Sequence, residues 1–379
     1  MSESTSAARN DYRASLRLVA WEITRNCNLY CAHCRASAHY GPHADELSLK
    51  ECFSLVDAIL SVGQPILILT GGEPLMRKDF LDIARYAVGK GLRVVVGSNG
   101  TLIDKDIAAR MKEIPISRLG VSLDFPTREL QDGFRGASGA FDAALSGIKC
   151  AIDSGIEVQI NSTITKLNAH YIEDLVKLAL DIGAVAFHPF LLVPTGRGKD
   201  LCEHELAAED YERLLVWIYE KQQKLGERLF FKPTDAPHYM RVVRQQMKLN
   251  PSTSPIPSPH GSGRHPASHS SMSSMSRGCL AGVGFCFISH RGRVQGCGYL
   301  DVEAGNIRNR SFQDIWHKSK LFTQLRDYSL LKGKCGQCEY KMVCGGCRAR
   351  AYEKTGDYLA AEPYCLYQPQ EGIHVIRSH

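Results

Sequence analysis

Six short apolar segments, separated by stretches of helical character, constrain the fold of this chain more than any other feature. They are rich in Val, Ile and Leu, as strands buried on both faces of a sheet are. Between the first two, apolar residues recur at helical spacing from Cys52 to Leu60, and Ser48 with Glu51 makes a capping box at the start. The alternation predicts an α/β fold with a parallel sheet and right-handed crossovers, but it does not decide between an open sheet and a barrel. The predicted strands are residues 16–23, 65–70, 92–97, 118–123, 157–163 and 185–191.

Length and composition bound the class of protein. A chain of 379 residues, 44% hydrophobic and 23% charged, has room for one large globular domain and a smaller one. The net charge of +6 is mild, and no basic run is interleaved with aromatic residues, so we expect no nucleic-acid partner. No apolar run is long enough to span a bilayer, and the first fifteen residues are polar. We therefore expect a cytoplasmic protein without membrane insertion.

Cysteine usage indicates metal or redox chemistry. Fourteen cysteines are many for a cytosolic protein, where disulfides are rare, and eleven of them fall in two regions. In the first region, Cys27, Cys31 and Cys34 follow the first predicted strand with C-x3-C-x2-C spacing. Three such thiolates can hold three irons of a [4Fe–4S] cluster and leave the fourth iron open, as a reactive site requires. A zinc knuckle completed by His33 or His39 is the alternative.

A second motif follows the second predicted strand. It reads Gly71-Gly72-Glu73-Pro74, and its two glycines allow the backbone to approach a ligand closely. Polar residues also end later strands, among them Ser122 with Asp124, and Asn161. Because active sites of parallel barrels lie at the carboxyl ends of the strands, these residues are expected to share one site with the cysteine loop.

The combination of the cysteine loop after strand one and GGEP after strand two resembles the radical S-adenosylmethionine (SAM) enzymes. The resemblance implies a partial (β/α)6 barrel, similar to a TIM barrel, with a [4Fe–4S] cluster on Cys27, Cys31 and Cys34 that chelates SAM. Gly71, Gly72, Glu73 and Pro74 would then hold the amino group of SAM. Ser122 and Asn161 would line its ribose or carboxylate, and Arg135 would pair with the carboxylate. No catalytic side chain is assigned beyond the cluster ligands.

The C-terminal cysteines resemble the SPASM extension of that family, a module that carries two auxiliary [4Fe–4S] clusters. The last short gap, Cys344-x2-Cys347, has two residues where the SPASM pattern has three. A pair of four-cysteine zinc sites is the alternative. The resemblance assigns one auxiliary cluster to Cys279, Cys286, Cys297 and Cys347, and the other to Cys335, Cys338, Cys344 and Cys365.

The sequence therefore predicts four segments. Residues 1–15 form a flexible N-terminus and residues 16–230 the barrel. Residues 250–278 are rich in Ser, Pro, His and Gly and cannot bury enough apolar area to fold, so we expect a disordered insert. Residues 279–370 form the SPASM domain.

A longer stretch is more specific. Residues 19–38, together with residues 67–74, resemble the haem synthases of the siroheme-dependent pathway. This resemblance implies oxidative decarboxylation of two propionates of Fe-coproporphyrin III to vinyl groups, which gives haem b. It also implies a porphyrin-type tetracarboxylate substrate, an external low-potential electron donor and an electron acceptor. Arginine forks match carboxylates, and the candidate substrate clamps near strand ends are Arg35, Arg77, Arg135 and Arg197.

Three other functions stay open at the level of sequence. A related radical SAM enzyme could remove side chains from didecarboxysiroheme or from a haem d1 precursor. A SPASM enzyme could instead modify a peptide, although only about fifteen polar residues precede the first strand, where such enzymes often carry a recognition domain. A non-catalytic iron–sulfur electron carrier would need neither an open iron nor the GGEP loop.

Overall fold

The computed structural model describes residues 15–250 and 277–369, so the predicted N-terminus and the predicted insert lie almost entirely outside the described residues. Its centre is one ten-stranded sheet in the order β10-β9-β8-β1-β2-β3-β4-β5-β6-β7. Strands β8 and β1 to β7 are parallel, and β9 and β10 are antiparallel. The strands are β1 Leu18–Thr24, β2 Ile66–Gly71, β3 Arg93–Ser98, β4 Arg118–Ser122, β5 Val158–Ile164, β6 Ala186–Leu191, β7 Phe230–Phe231, β8 Phe285–Ile288, β9 Arg293–Gln295 and β10 Glu303–Asn306.

The six strands predicted from the sequence are confirmed to within two residues at each end. The capping box is also confirmed, since Ser48 accepts the Glu51 N–H and the Glu51 side chain accepts from Ser48. The helices are α1 Leu49–Leu60, α2 Phe80–Gly89, α3 Lys105–Glu113, α4 Arg128–Arg135, α5 Ala140–Asp153, α6 Ile172–Asp181, α7 Ala208–Leu225, α8 Tyr239–Leu249, α9 Phe312–Lys318, α10 Lys320–Arg326, α11 Gly333–Gln337 and α12 Arg348–Thr355.

The two faces of the parallel strands differ in burial. Residues facing the helices, such as Val94 and Val96 of β3, are fully buried in the main core. Residues at the alternating positions, such as Gly97 of β3 and Gln159 and Asn161 of β5, keep accessible surface. A closed barrel fills its interior with layers of branched side chains. Here the inner-face positions include small and polar residues, such as Gly97, Gln159 and Asn161, which leave room for a ligand.

The C-terminal region continues the sheet of the barrel. Strand β8 pairs in parallel with β1, with Val19 opposite Cys286 and Trp21 opposite Ile288. This pairing was not predicted from the sequence, and it places the C-terminal cysteines beside the first strand of the barrel. Across residues 15–250 and 277–369, none of the helices has the length and apolar character that crossing a bilayer requires.

Candidate active site at the carboxyl edge of the sheet

The loop after β1 brings Cys27, Cys31 and Cys34 together. Burial, with smaller contributions from Glu73 and the other two thiols, raises the pKa of Cys27 to about 12. Burial also raises the pKa of Cys31, and Cys34 adds to that effect. Such thiols stay protonated at neutral pH unless a metal replaces the proton. Their influence on one another shows that the three thiols face a common space, as the ligands of one cluster must.

Each sulfur of the loop also has a hydrogen-bond donor. The Leu29 N–H donates to Cys27 Sγ (3.4 Å), and the Ala38 N–H donates to Cys34 Sγ (3.3 Å). Arg135 donates from Nη1 to Cys31 Sγ (3.7 Å). Hydrogen bonds to thiolate sulfur stabilise its negative charge and tune the potential of an iron–sulfur cluster.

The GGEP loop lies directly against the cysteine loop, and its glycines allow that contact. The Gly72 N–H donates to the Thr24 carbonyl (2.8 Å). A Cβ built on Gly72 would lie 2.5 Å from the Asn26 carbonyl oxygen, and one on Gly71 would lie 2.5 Å from the Thr24 oxygen. Real Cβ atoms do not approach backbone oxygens so closely. Glycine at both positions therefore sets the distance between the two loops.

Glu73 is fully buried at the end of this loop. Its carboxylate accepts from the Asn99 N–H (2.7 Å), from the Leu75 N–H (3.1 Å) and from Ser98 Oγ (3.0 Å). Burial nevertheless raises its pKa to about 7. A buried carboxylate without a neighbouring cation is costly, so the site favours a positively charged ligand such as an ammonium group. Pro74, the last residue of the motif, is buried and opens a short 3₁₀ helix, Pro74–Met76.

Arg135 has protein partners at this site. It is buried, pairs with the fully buried Asp124 and also contacts the Cys31 sulfur. Asp124 Oδ1 in turn accepts the Thr163 N–H (2.6 Å). The guanidinium therefore joins the cysteine loop to the ends of β4 and β5.

Ser122 and Asn161, both predicted to line the SAM site, lie side by side in the sheet. They are direct register partners on β4 and β5, and both keep accessible surface. Asn161 Oδ1 accepts from Gln159 Nε2 (2.9 Å). A Cβ on Gly120 would lie 2.9 Å from Asn161 Nδ2, so the small residue leaves space for the amide.

Two of the proposed arginine clamps fasten loops. Arg77 donates to the carbonyls of Ile23 and Leu47 (both 2.7 Å). Arg197 donates to the Cys31 carbonyl (2.9 Å) and stacks over a tyrosine ring of the same loop. These hydrogen bonds hold the backbone around the cysteines, which makes both arginines positioning residues.

Arg35 links the barrel to the C-terminal region. It pairs with the buried Glu22 (2.7 Å), donates to the Gly298 carbonyl (3.3 Å) and lies over the Phe287 ring. His290 Nδ1 lies 2.7 Å from the same carboxylate. Burial alone would raise the pKa of Glu22, but Arg35 and His290 outweigh it and lower that pKa to about 2. About a fifth of the Arg35 side chain remains accessible, on the inner face of the sheet.

The C-terminal cysteines fall into two groups. We call the first group site II; its four cysteines line one pocket together with His238 and Arg241, and they are Cys335, Cys338, Cys344 and Cys365. Several donors reach the site II sulfurs: the Glu362 N–H lies 3.3 Å and Arg348 Nη2 lies 3.8 Å from Cys335 Sγ, and the Gly346 N–H lies 3.4 Å from Cys344 Sγ.

The second group, which we call site I, contains the thiols of Cys279, Cys297 and Cys347. Burial raises the pKa of Cys297, and both Cys347 and Cys279 add to that effect, so the three thiols are neighbours. The Tyr299 N–H donates to Cys297 Sγ (3.3 Å), and the Arg350 N–H donates to Cys347 Sγ (3.5 Å). Cys286 lies on β8 opposite Val19 of β1, so its side chain is on the helix-facing side of the sheet, where it is completely buried.

All three groups have the donor set of an iron–sulfur centre. In a [4Fe–4S] cluster each thiolate binds a different iron, so the ligands need not converge on one point. Consistent with that, no three Cys, His, Asp or Glu side chains within the described ranges 15–250 and 277–369 are arranged around a single metal ion. The thiols, their backbone donors and the glycine-lined loop fit a cluster with bound SAM.

Several residues of the site were not predicted. Asp124 was noted only as a polar strand end, and nothing in the sequence pairs it with Arg135, eleven positions later. Glu22 alternates with apolar residues on β1, and an ionisable residue in a buried strand is the signal that could have drawn attention to it. Arg350 follows Cys347 by three residues and donates to the carbonyls of Leu191 and Leu192, contacts that only the fold reveals.

Comparison with known families identifies the class of protein. Residues 21–181 match the radical SAM superfamily, and residues 279–347 match SPASM, described as an iron-sulfur cluster-binding domain. The chain belongs to the radical SAM superfamily, and it is an enzyme with an iron–sulfur-binding C-terminal domain.

Two relatives show where it stands within that superfamily. The AdoMet-dependent heme synthase of Nitratidesulfovibrio vulgaris is 48% identical over 360 residues, which are 95% of each chain. The Fe-coproporphyrin III synthase of Methanosarcina barkeri is 34% identical, over 93% of this chain and 88% of that protein.

A solved structure shows the same fold. The crystal structure of Streptococcus suis SuiB bound to S-adenosylmethionine matches 95% of this chain and 80% of that chain with a TM-score of 0.72, at 17% sequence identity.

Proposed function

We propose that this enzyme is a haem synthase that decarboxylates two propionates of Fe-coproporphyrin III to vinyl groups and so forms haem b. The observation that carries the proposal is the 48% identity, over 95% of both chains, to an AdoMet-dependent heme synthase. The Fe-coproporphyrin III synthase is clearly less similar, at 34% identity. That difference favours the last decarboxylation over an earlier side-chain removal.

The reaction balances for each propionate as follows. One hydrogen atom leaves the β-carbon of the side chain, the bond to the carboxylate carbon breaks, and CO2 departs. The two carbons that remain form the vinyl double bond, and one electron is left over. Each decarboxylation therefore needs a hydrogen-atom acceptor and a one-electron acceptor.

The carboxyl edge of the sheet supplies the first requirement. Cys27, Cys31 and Cys34 would hold the [4Fe–4S] cluster, and its bound SAM, on reduction by an external low-potential donor, supplies the hydrogen-abstracting group. The buried Glu73 would accept the amino group of SAM, and Ser122 and Asn161 would line its ribose or carboxylate. Arg135 holds the loop by its contacts to Cys31 and Asp124.

The inner face of the sheet suits a tetracarboxylate. Arg35 keeps part of its side chain accessible there, beside the end of β1. Lys232 follows β7 on the same face, and burial, helped by Arg118, lowers its pKa to about 8, so the amine remains mostly protonated at neutral pH. Two cations on a small and polar inner face give propionates both charge partners and space.

The C-terminal sites would supply the second requirement. We propose that sites I and II each hold one auxiliary [4Fe–4S] cluster, in a domain of residues 279–370 that follows a barrel of residues 16–230. Site I adjoins Tyr299, whose pKa is raised first by burial and then by Asp235, with Cys297 and Cys34 adding to it. Arg35, the residue after Cys34, donates to the carbonyl of Gly298, the residue after Cys297 (3.3 Å), so site I adjoins the cysteine loop and an electron from the substrate would have a short path.

The test is an anaerobic incubation of reconstituted protein with SAM, a reductant and Fe-coproporphyrin III, followed by mass spectrometry. We expect two sequential decarboxylations of the porphyrin and formation of 5′-deoxyadenosine. Cys34→Ala should abolish both, while Cys202→Ala, which removes an exposed thiol outside all three groups, should change neither.

Other outcomes would overturn the proposal in distinct ways. Formation of 5′-deoxyadenosine with an unchanged porphyrin would contradict the substrate and direct attention to didecarboxysiroheme, a haem d1 precursor or a peptide. Electron transfer that survives loss of the loop cysteines, without SAM cleavage, would indicate an electron carrier.

A further inference from the structure

Cys286 lies on the wrong face of the sheet to join site I. In register it is opposite Val19, and both side chains are fully buried in the main core beneath the helices. Its neighbour Phe287 points to the other face, where it contacts Arg35 on the inner side. Site I therefore has three thiols.

A fourth group lies at site I, on a segment remote in sequence. Asp235 follows β7 and adopts a left-handed backbone conformation with φ of 58°. Its carbonyl accepts from Tyr211 Oη (3.0 Å) and from Arg350 Nη1 (3.1 Å). Such a conformation is uncommon outside glycine and persists where the surroundings fix it. Arg350 belongs to the helix that begins at Cys347, so the backbone of Asp235 is held against that end of site I.

The same segment also touches the other end of site I. A Cβ on Gly278, the residue before Cys279, would lie 2.6 Å from the Pro237 carbonyl and 2.7 Å from that of Cys344. Gly278 is thus packed against both Pro237 and the turn that precedes Cys347, which places residues 235–237 beside the residue before Cys279.

The Asp235 side chain is turned toward the thiols. Burial is the main cause of the raised pKa of Cys297 and of Cys347, and the nearby Asp235 carboxylate raises both further. Its Oδ2 is buried and has no hydrogen-bond partner among the described residues. A buried acceptor without a protein partner is rare in native proteins, and it is an atom that can bind an ion or ligand.

We propose that the carboxylate of Asp235 is the fourth protein ligand of the cluster at site I and that Cys286 is not a ligand. The inference rests on the auxiliary cluster included in the proposed function. It replaces the all-cysteine set with three thiolates, from Cys279, Cys297 and Cys347, and one oxygen ligand.

An oxygen ligand has a chemical consequence for this cluster. Replacing thiolates with less electron-donating ligands raises the potential of an iron–sulfur cluster. Site I would then accept an electron more readily than site II, which has four thiols. Since the Gly298 carbonyl beside Cys297 accepts from Arg35 beside Cys34, the cluster with the higher potential is also the one that adjoins the cysteine loop.

The test compares four full-length proteins reconstituted with iron and sulfide: wild type, Cys286→Ala, Asp235→Asn and Cys279→Ala. Iron and sulfide content and the EPR spectrum of the reduced protein are measured without porphyrin, so the result does not depend on the reaction. Asp235→Asn preserves the size of the side chain and tolerates a left-handed backbone. The wild-type spectrum minus that of Cys279→Ala isolates the signal of site I.

We expect Cys286→Ala to keep wild-type iron content and spectrum, and Cys279→Ala to lose about a third of the iron, one cluster of three. Asp235→Asn should shift or remove the site I signal and leave the other signals unchanged. Loss of one cluster in Cys286→Ala, or a wild-type site I signal in Asp235→Asn, would overturn the assignment. Circular dichroism confirms that each variant is folded.

Discussion

The cysteine loop and site I present similar thiols in opposite ways. The loop provides Cys27, Cys31 and Cys34 within eight residues, and the N–H groups of Leu29 and Ala38 come from the same stretch. Site I draws its thiols from the loop after β9, from the N-cap of α12 and from the residue after Gly278, and Asp235 lies beside them. The loop is thus a local structure, whereas site I exists only when the C-terminal region is docked on the barrel.

This difference shows what each site depends on. The cysteine loop needs the GGEP loop packed closely against it, and the two glycines of GGEP permit that contact. Site I needs long-range hydrogen bonds, which Arg350 supplies by donating to the carbonyls of Leu191, Leu192 and Asp235. Substitution of a cysteine in the loop should therefore abolish SAM cleavage, whereas substitution of Arg350 should lower the stability of the folded protein.

The largest expected effect is on the reaction products, which should differ between a variant of the cysteine loop and a variant of site I. Cys34→Ala should reduce 5′-deoxyadenosine formation to background, because the open cluster loses one of its three ligands. Cys347→Ala should still form 5′-deoxyadenosine but give no vinyl product, because the electron left by decarboxylation has lost its acceptor. Chromatography with mass spectrometry of both products checks this.

The comparison fails if both variants behave alike. Equal loss of 5′-deoxyadenosine would mean that site I supports SAM cleavage itself, and equal retention of vinyl product would remove site I from the reaction. Cys202→Ala is the control for the loss of a thiol as such, since that residue is exposed and lies outside all three groups.

The next effect concerns stability. Arg350→Ala removes the donor to the carbonyls of Leu191 and Leu192, leaves the buried Glu362 without its ion pair and opens a cavity, which together should lower the free energy of unfolding by about 4 kcal/mol. Arg128→Ala, which removes an exposed ion pair with Asp142, should cost less than about 1 kcal/mol. Urea denaturation followed by circular dichroism measures both. A loss for Arg350→Ala no larger than that of the control would show that site I does not depend on these bonds.

A smaller effect depends on pH. Since burial raises the pKa of Glu73 from 4.5 to about 7, the folded protein retains this proton at pH values where the unfolded chain has released it. The stabilisation is complete below pH 4.5 and is lost as the pH rises through 7, a difference of about 3 kcal/mol.

Glu73→Gln tests that effect because it cannot release the proton. The free energy of unfolding of wild type, minus that of the variant, should fall between about pH 5 and about pH 8. Saturating SAM should reduce the fall, because its ammonium group would pair with the ionised carboxylate. A difference that is flat with pH would show that Glu73 is ionised throughout.

The sequence predicted those parts of the molecule that depend on neighbouring residues. The six strands, the capping box and the position of the cysteine loop follow from local pattern, and each is present in the structure. The pairing of β8 with β1 was not predicted, because β8 has only four residues and its partner lies more than 260 positions earlier.

The same contrast between local pattern and long-range contact explains which site residues could be predicted. Cys286 fits the spacing of a ligand pattern, but spacing along a strand does not reveal which face of the sheet a side chain occupies. Asp235 has no motif around it, and its role depends on a left-handed turn held by Arg350, a residue 115 positions away. A ligand set assembled from several segments requires the fold before it can be assigned.

The smallest effect tests how tightly the local site is built. In Gly72→Ala the new Cβ would lie 2.5 Å from the Asn26 carbonyl, so the GGEP loop must move away from the cysteine loop by a few tenths of an ångström or more. We expect SAM to bind about tenfold more weakly, or about 1.4 kcal/mol, with iron content unchanged. Gly89→Ala is the control, since its added Cβ would meet no atom within 4 Å. Calorimetric titration of SAM into the reconstituted proteins measures the change. Unchanged affinity for SAM would mean that the GGEP loop can shift without disturbing the SAM site. Loss of iron would mean that the contact between the two loops also holds the cysteines in place.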